Sequence, residues 1–472
     1  MSNEIQKVSV RERAFYGFGD LASCLFWQTI TLYLLFFYTD VFGLAAAAAG
    51  IMVAVSRALD AFFDVVIGMT ADRTKSRWGK FRPYILWGAV PLAVAAVLAF
   101  TTPNFGPTWK LVYAYVTFIL FMFLYSAINI PYTALLGVIS GDPIERTSSS
   151  SFKFIGAYLG GLIVSATALP FAKHFGQGND AKGWQMTLAI YGVAAVILFL
   201  ITFLSTRERI QPIAKEKTSV KNDLKDLSKN MPWILLFIVT ILFILFVCIR
   251  MNVTTYYFKY YVGEQEVTLL GTTHKYGFEV LASAFNTIGT VFAILGVILV
   301  PWFAKLCGRK NAVIILFVTA LICTGAFYFF KPTDLFLIFA FQIVGSLAGG
   351  PISALLWVLY ADTADYSEWK TGRRATGLVF SASIMSNKLG WAIGTMIAGM
   401  ILAWTGYVAN VVQNIDVQNG LKAMMSIIPV AAGVIALIIL MFFYKLDEAS
   451  MQKVKADLED RRKASGQGAA TA

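Results

Sequence analysis

The chain has 472 residues, of which 58% are hydrophobic and only 14% charged, and its mean hydropathy is +0.67. Soluble domains carry about a quarter of their residues charged, so a soluble protein is excluded. The net charge of +12 does not indicate nucleic acid, because the Lys and Arg gather in alternate loops, the pattern that orients membrane spans.

The charged head, Met1–Ala14, precedes an apolar run that is too long for a signal h-region and lacks a small-residue cleavage pattern, so it reads as a retained first span. Apolar runs of roughly 20 residues or more, enough for about 30 Å of hydrocarbon, predict twelve spans. They are Phe15–Phe42, Ala45–Met69, Tyr84–Thr102, Leu111–Ile139, Ser151–Phe171, Trp184–Ser205, Trp233–Val262, Gly277–Ala304, Ala312–Phe330, Leu335–Tyr360, Gly377–Trp404 and Leu421–Tyr444. An even number puts both termini on one side. The basic head, the basic tail and loops 71–83, 206–232, 305–311 and 370–374 place that side in the cytoplasm of a bacterial inner membrane. The four cysteines, Cys24, Cys248, Cys307 and Cys323, lie in or beside apolar runs without paired spacing and read as packing residues.

Thr206–Pro232 is the longest hydrophilic connection and carries seven Lys or Arg. It divides an N-terminal bundle (1–205) from a C-terminal bundle (233–444), with a polar tail at 445–472. The halves echo one another. Pro131-Tyr-Thr-Ala-Leu-Leu in the fourth span matches Pro351-Ile-Ser-Ala-Leu-Leu in the tenth, followed at equal offsets by Asp142 and Glu145, and by Asp362 and Asp365. Such repeats point to an all-α membrane protein of two six-helix bundles related by a pseudo-twofold axis along the membrane normal.

Several polar side chains interrupt the spans. Arg57, Asp60 and Asp64 share one face of the second at i, i+3 and i+7. An ionised group at mid-bilayer costs on the order of 3 kcal/mol or more and normally marks an ion or substrate path. Two carboxylates one turn apart attract a small cation, and one arginine does not cancel both. Close carboxylates also repel, so a proton can replace the ion; oxygen ligands suit hard cations, and Na⁺, Li⁺ and H⁺ remain open. Lys388 in the eleventh span is a candidate partner that an arriving cation would displace.

A second polar stripe, Asp20, Cys24, Trp27, Gln28 and Thr31, runs down the first span. Tyr125, Ser126, Asn129, Tyr132 and Thr133 lie on neighbouring faces of the fourth. Lys153, Arg250, Trp357, Lys388, Trp391 and Thr395 add basic, aromatic and hydroxyl groups. Aromatic faces beside amides, hydroxyls and charges suit a polyhydroxylated ring, whose C–H faces stack while its hydroxyls find new partners. Arg250 has either a structural role or an anionic substrate group as partner. Gly156/Gly160 and Gly345/Gly349 fit close helix packing.

The loop after the second span, with Gly68, Asp72, Arg73, Gly79 and further bases, is expected to latch against acids. Its counterparts are Asp142, Glu145 and Arg146 in the same half, and a loop holding Asp362, Asp365, Glu368, Arg373 and Arg374 in the other. Together these would form a cytoplasmic gate of exposed, individually weak pairs. The two histidines, His174 and His274, are isolated, and no nucleophile–base pair or metal-ligand cluster is readable, so an enzyme is not expected.

The loop after the second span resembles the major facilitator signature. More narrowly, the chain resembles the glycoside–pentoside–hexuronide:cation symporter family, to which the melibiose permease belongs. The motifs are Tyr16-Gly-Phe-Gly19, Tyr38-Thr-Asp-Val41, Arg57-Ala-Leu-Asp60-Ala-Phe-Phe-Asp64, Ser76-Arg-Trp-Gly-Lys-Phe-Arg-Pro83, Ile130-Pro131, Ala361-Asp-Thr-Ala-Asp-Tyr-Ser-Glu-Trp369 and Lys388. The resemblance implies a twelve-helix major facilitator fold and no cofactor beyond the coupling ion. It implies Asp60 and Asp64 as cation ligands helped by Ser126, Lys388 and Arg57 as coupling groups, and Lys153 and Trp357 at the sugar site. Departures stand at Cys24 and Asn129, where the permease has sugar-binding carboxylates, and at Thr133, where it has a tryptophan. The pocket is thus less acidic, which admits a hexuronide as well as a neutral pentoside or short oligosaccharide. Asn129 remains a candidate for both cation and sugar.

The expected function is import of a small sugar or sugar acid with Na⁺ or H⁺ by a monomer in the lipid bilayer, without a nucleic-acid partner. A lysolipid or drug carrier on the same scaffold and a non-transporting sugar sensor are the alternatives.

Overall fold

The computed structural model describes residues 8–140, 142–209, 230–269, 272–371, 376–446 and 448–464. The helices are α1 Val10–Phe36, α2 Ala46–Arg73, α3 Arg82–Ala99, α4 Pro107–Ile139, α5 Pro143–Gly176, α6 Asp180–Ser205, α7 Met231–Tyr257, α8 Phe278–Cys307, α9 Arg309–Ala326, α10 Leu335–Thr371, α11 Thr376–Trp404, α12 Ile415–Met425, α13 Ile427–Ile438 and α14 Glu448–Ala464. Short π-helical turns extend α1 to Val41, α7 to Val262 and α13 to Phe443. Ten stretches are long and apolar enough to cross a membrane, with α12 and α13 forming one of them. The long helices α2 and α11 are not among these ten.

Local sequence sets the ends. Ser9 caps α1 by accepting the Glu12 N–H at 3.1 Å, and Asn179 caps α6 by accepting that of Lys182 at 3.0 Å. Pro83 and Pro107 occupy first turns, where no N–H is missed. Gly308, at φ +80°, turns the chain between α8 and α9 within one residue.

Several helices outrun their predicted spans. The stretch Asp362–Lys370 contains no breaker, so α10 continues through it, and Asp362, Asp365 and Glu368 are helical and not in a loop. Likewise α5 begins at Pro143 and carries Glu145 and Arg146 in its first turns. The last span begins at Ile415, earlier than its hydropathy suggested. The expectation of an all-α chain misses one hairpin, β1 Gln265–Leu269 paired antiparallel with β2 Thr272–Tyr276. Val267, Thr268, Thr272, Thr273 and Tyr276 favour strands there.

The contacts divide the chain into two compact units. The first holds Met1–Ala214, Met251–Thr290 and Thr395–Leu421; the second holds Lys215–Arg250, Val291–Gly394 and Lys422–Ala472. The first unit therefore takes in chain from beyond the 206–232 connection.

In the first unit α1 lies hard against α5. A Cβ on Gly156 would overlap the Gly17 carbonyl oxygen, and one on Gly160 would stand 2.8 Å from Leu21 O and Cys24 Cβ. Tyr16 and Tyr132 clamp α1 to α4. Their rings stack at 4.8 Å and each hydroxyl donates to the other residue's carbonyl, at 3.2 and 2.8 Å. Gly156→Val should cost more than the roughly 1–3 kcal/mol of ordinary overpacking, because the obstructing atom is backbone. The expected outcome is loss of the monodisperse detergent-extracted peak in fluorescence-detected size exclusion, whereas Gly137→Ala, facing open space, leaves it intact.

The second unit is built on Leu236, Phe243, Phe317, Ile352, Leu355 and Tyr360, with Ala436 from α13. The tail helix α14 joins this core through Met451, Val454 and Leu458, and Asp457 accepts the Trp369 indole N–H at 2.9 Å. Close approach of α8 and α10 uses Gly296 and Gly350, while a Cβ on Gly349 would meet nothing.

Candidate cation and sugar site

The centre of the first unit gathers residues from α1, α2, α4 and α5. Asp60 and Asp64, one turn apart on α2, both turn to Ser126 on α4. Its Oγ lies 2.6 Å from Asp60 Oδ1 and 2.8 Å from Asp64 Oδ1. Asp60 and Ser126 are buried, at 4% and 3% exposure, and Asp64 is half-buried. A hydroxyl owns one hydrogen and so donates to only one of these oxygens. The other short O–O contact needs a proton on a carboxyl group or a cation shared by the oxygens. Three converging hard oxygens with two negative charges are suited to either.

Arg57, 5% exposed, lies on the same helix with its guanidinium 4.8 Å from the Trp27 ring centre. Trp27 in turn stacks on Tyr125 at 5.5 Å, and Tyr125 on Phe121 at 5.8 Å. The guanidinium thus lies over the Trp27 face on the helix that carries the carboxylate pair. Asn129 spends its amide N–H on the Tyr125 carbonyl at 3.1 Å, one turn back on its own helix; that bond leaves its carbonyl oxygen as its ligating atom.

A second patch adjoins this one. Lys153 on α5 donates to Thr133 Oγ1 at 3.3 Å and its ammonium lies 5.5 Å from the Tyr132 ring centre. Asp20 and Cys24 on α1 both lie within electrostatic reach of Lys153. Asp20, Cys24, Thr133 and Lys153 thus gather around one ammonium, while Trp27 lies with Arg57 and Tyr125.

The remaining candidates belong to the second unit. Arg250 donates to Thr324 Oγ1 at 3.1 Å and to Gln342 Oε1 at 3.2 Å, with its guanidinium 5.0 Å from the Phe327 ring centre. These contacts suit a structural arginine. Trp357 packs at 5.8 Å on Tyr360, the Trp391 carbonyl accepts from Cys248, and Lys388 is half-buried on α11.

Of the gate candidates, Glu145 is buried and ties elements of its own unit. It accepts from the Val8 N–H at 3.2 Å, from Ser140 at 2.7 Å and from Arg13 at 3.3 Å. Asp362 pairs with Arg309 at 2.8 Å within the second unit. Arg73 is exposed at the end of α2, and Gly68 has open space, with Ile130 at 3.9 Å. Asp142 precedes α5, and Arg146 lines a cavity of about 550 Å³ with Thr133 and Ser150. Asp365 is half-buried on α10. The Asp72 side chain, Arg373 and Arg374 lie outside the described residues.

Two carboxylates escaped the reading of the sequence. Glu208 accepts the backbone N–H groups of Lys80, Phe81 and Arg82 at 2.8, 2.7 and 3.0 Å, so it folds the loop before α3 around Gly79, at φ +104°. Asp40 is the other. Its side chain is 1% exposed and accepts from Lys259 at 2.8 Å, Tyr407 at 2.5 Å, Thr39 at 2.7 Å and Tyr260. Its carbonyl takes the Asn410 amide at 2.7 Å, and Asn410 itself sits at φ +60°. Burial and the Asp40 charge push the Tyr407 phenol far up, so it donates at every physiological pH. A lone acid at a span end with no neighbouring base was the available signal.

Comparison with known proteins shows the family. The description "MFS/sugar transport protein" fits residues 15–448. The chain belongs to that family. It is 38% identical to an isoprimeverose transporter of Lactiplantibacillus pentosus, over 95% of this chain and 91% of that one. It is 35% identical to the inner membrane symporter YicJ of Escherichia coli K12 (97% and 96% covered) and 34% to that strain's putative glycoside/cation symporter YagG (98% and 97% covered). Among solved structures, the nucleoside transporter NupG superposes with TM-score 0.62 at 14% identity, over 93% of this chain and 100% of that one. A bacterial homologue of the lysosomal transporter Spinster gives 0.65 at 14%, over 95% and 97%. At such identities these structures attest the fold, which is of the major facilitator type. This family member is a multi-pass membrane transporter and not an enzyme.

Proposed function

We infer that the protein is a secondary symporter that imports a small sugar or sugar acid together with Na⁺ or H⁺. The observation that carries this reading is the three-oxygen set of Asp60, Asp64 and Ser126, beside the Arg57–Trp27–Tyr125 stack. The names of the relatives, an isoprimeverose transporter and glycoside/cation symporters, support the same cargo class. Asp60 and Asp64 hold the cation with Ser126 and the Asn129 carbonyl. The sugar meets Asp20, Cys24, Trp27, Thr133 and Lys153 of the first unit. Lys388 and Arg57 are the coupling groups. Both termini lie in the cytoplasm, so the Asp40 end of α1 faces outward.

Cation bound at the carboxylates cancels their repulsion and raises sugar affinity, and linkage requires sugar to raise cation affinity by the same factor. The test is uptake into proteoliposomes of xylose-containing disaccharides, a glucuronide and a sulfonated hexose, each under an imposed Na⁺ or proton gradient. Accumulation of at least one sugar above equilibrium, driven by one of the two gradients, is the expected result. Equilibration alone, unaffected by either gradient, would refute symport.

A further inference from the structure

A basic recess lies where α1 begins and α6 ends, away from the cation set. It is a cavity of about 450 Å³ lined by Ser9, Arg11, Glu12, Phe15, Leu204, Ser205, Arg207 and Arg209. Its charges are not balanced among the described residues. Glu12 is spent on Arg209, whose two terminal nitrogens each lie 2.7 Å from a different carboxylate oxygen. The Arg207 backbone N–H also donates to Glu12, at 3.2 Å, which fixes where the Arg207 side chain starts. Arg11 and Arg207 are exposed, and Arg11 is steadied over the Phe15 ring at 5.2 Å. Two guanidiniums thus face the recess beyond the Glu12–Arg209 pair, with the Ser9 and Ser205 hydroxyls beside them.

Two exposed apolar side chains adjoin the recess: Leu204, which lines it, and Val10, next to the lining residues Ser9 and Arg11. Leu204 is 74% exposed and Val10 66% exposed, one on each helix at the point where the spans end. A soluble anion gains nothing from these two side chains, whereas a phospholipid places its phosphodiester among the guanidiniums and its acyl chains along Val10 and Leu204. Guanidinium binds phosphate oxygens in pairs, and basic pockets between helices at a membrane face are suited to anionic headgroups.

We propose that the α1–α6 recess, through Arg11 and Arg207, binds the headgroup of an anionic phospholipid and anchors the first unit to the leaflet at that face. The site requires only that α1 and α6 span a bilayer; it does not depend on the sugar or the coupling ion.

The experiment is thermal unfolding of the full chain in neutral detergent, with phosphatidylglycerol, phosphatidylcholine or inorganic phosphate added. Phosphatidylglycerol should raise Tm by several degrees and phosphatidylcholine by less than one. In Arg11→Gln/Arg207→Gln the shift should fall to less than half while the lipid-free Tm is unchanged. Should the double variant fold poorly, Arg207→Gln alone, which keeps the backbone bond to Glu12, should show a smaller loss, and native mass spectrometry should show less phosphatidylglycerol retained. Undiminished shift and retention in the variants, or equal shifts from both lipids, would overturn the proposal. A full shift from inorganic phosphate alone would overturn the lipid as occupant. Gradient-driven uptake by the wild type is measured separately, so failure of the lipid site and failure of symport are distinguishable.

Discussion

Asp60→Asn or Asp64→Asn abolishes gradient-driven accumulation of sugar while exchange of sugar across the membrane stays measurable. Either change keeps the side-chain volume and replaces a carboxylate oxygen with an N–H₂ that repels a cation, so the loss falls on ion binding and not on folding. The affected set is desolvated, with Asp60 4% exposed, and charge interactions there are less screened than at a surface. Cation affinity should fall at least about 100-fold, equivalent to about 2.7 kcal/mol. Ser126→Ala removes the neutral third oxygen and should cost about tenfold, near 1.4 kcal/mol, leaving accumulation slower but uphill. The checks are accumulation ratios and exchange rates in the same proteoliposomes. Uphill accumulation by either Asn variant at the wild-type level would remove the carboxylate pair from the mechanism.

What the sequence made legible here was periodicity. Arg57, Asp60 and Asp64 could be placed on one face because a helix repeats every 3.6 residues and the surrounding residues are apolar. The polar stripe of α1 was readable for the same reason, and its Asp20 and Cys24 lie within electrostatic reach of Lys153. What was not legible depends on partners distant in sequence. Glu208 lies 126 to 128 positions from the amides it caps, and nothing in its own neighbourhood points to them. Glu145 was read from the offset it shares with Asp365, and nothing local pointed to Val8 and Arg13, 137 and 132 positions away. Helix ends were hard to read for a different reason: hydropathy marks the hydrocarbon boundary, while α5 and α10 carry on as polar helix into water, with nothing in Asp362–Lys370 to stop them.

On the proposed orientation, Asp40→Ala should loosen the outer end of the molecule and slow transport without touching ion binding. The carboxylate joins the end of α1 to Lys259 and Tyr260 beyond α7 and to Tyr407 after α11. Lys259 also donates to Asn410 Oδ1 at 2.7 Å, and the Tyr260 hydroxyl accepts the Asn410 N–H at 2.9 Å. Residues far apart in sequence therefore converge on one buried anion, and alternating access requires contacts at the outer end to part when that end opens. Truncating one member of a buried charge pair leaves the other uncompensated, typically at about 3–5 kcal/mol. Lys259 is 16% exposed at its side chain, so water screens it in part and a lower figure, about 2 kcal/mol, is expected. That corresponds to roughly a 30-fold change in the opening equilibrium. Hydrogen exchange should accelerate by that order in segments 258–263 and 405–412 and remain unchanged around Ser126. Because Asp40 and Lys259 act as a unit, Asp40→Ala/Lys259→Met should be no worse than Asp40→Ala alone. Unchanged exchange at 405–412, or fully additive single variants, would show that Asp40 is an ordinary buried polar residue and that the outer end is held shut by packing.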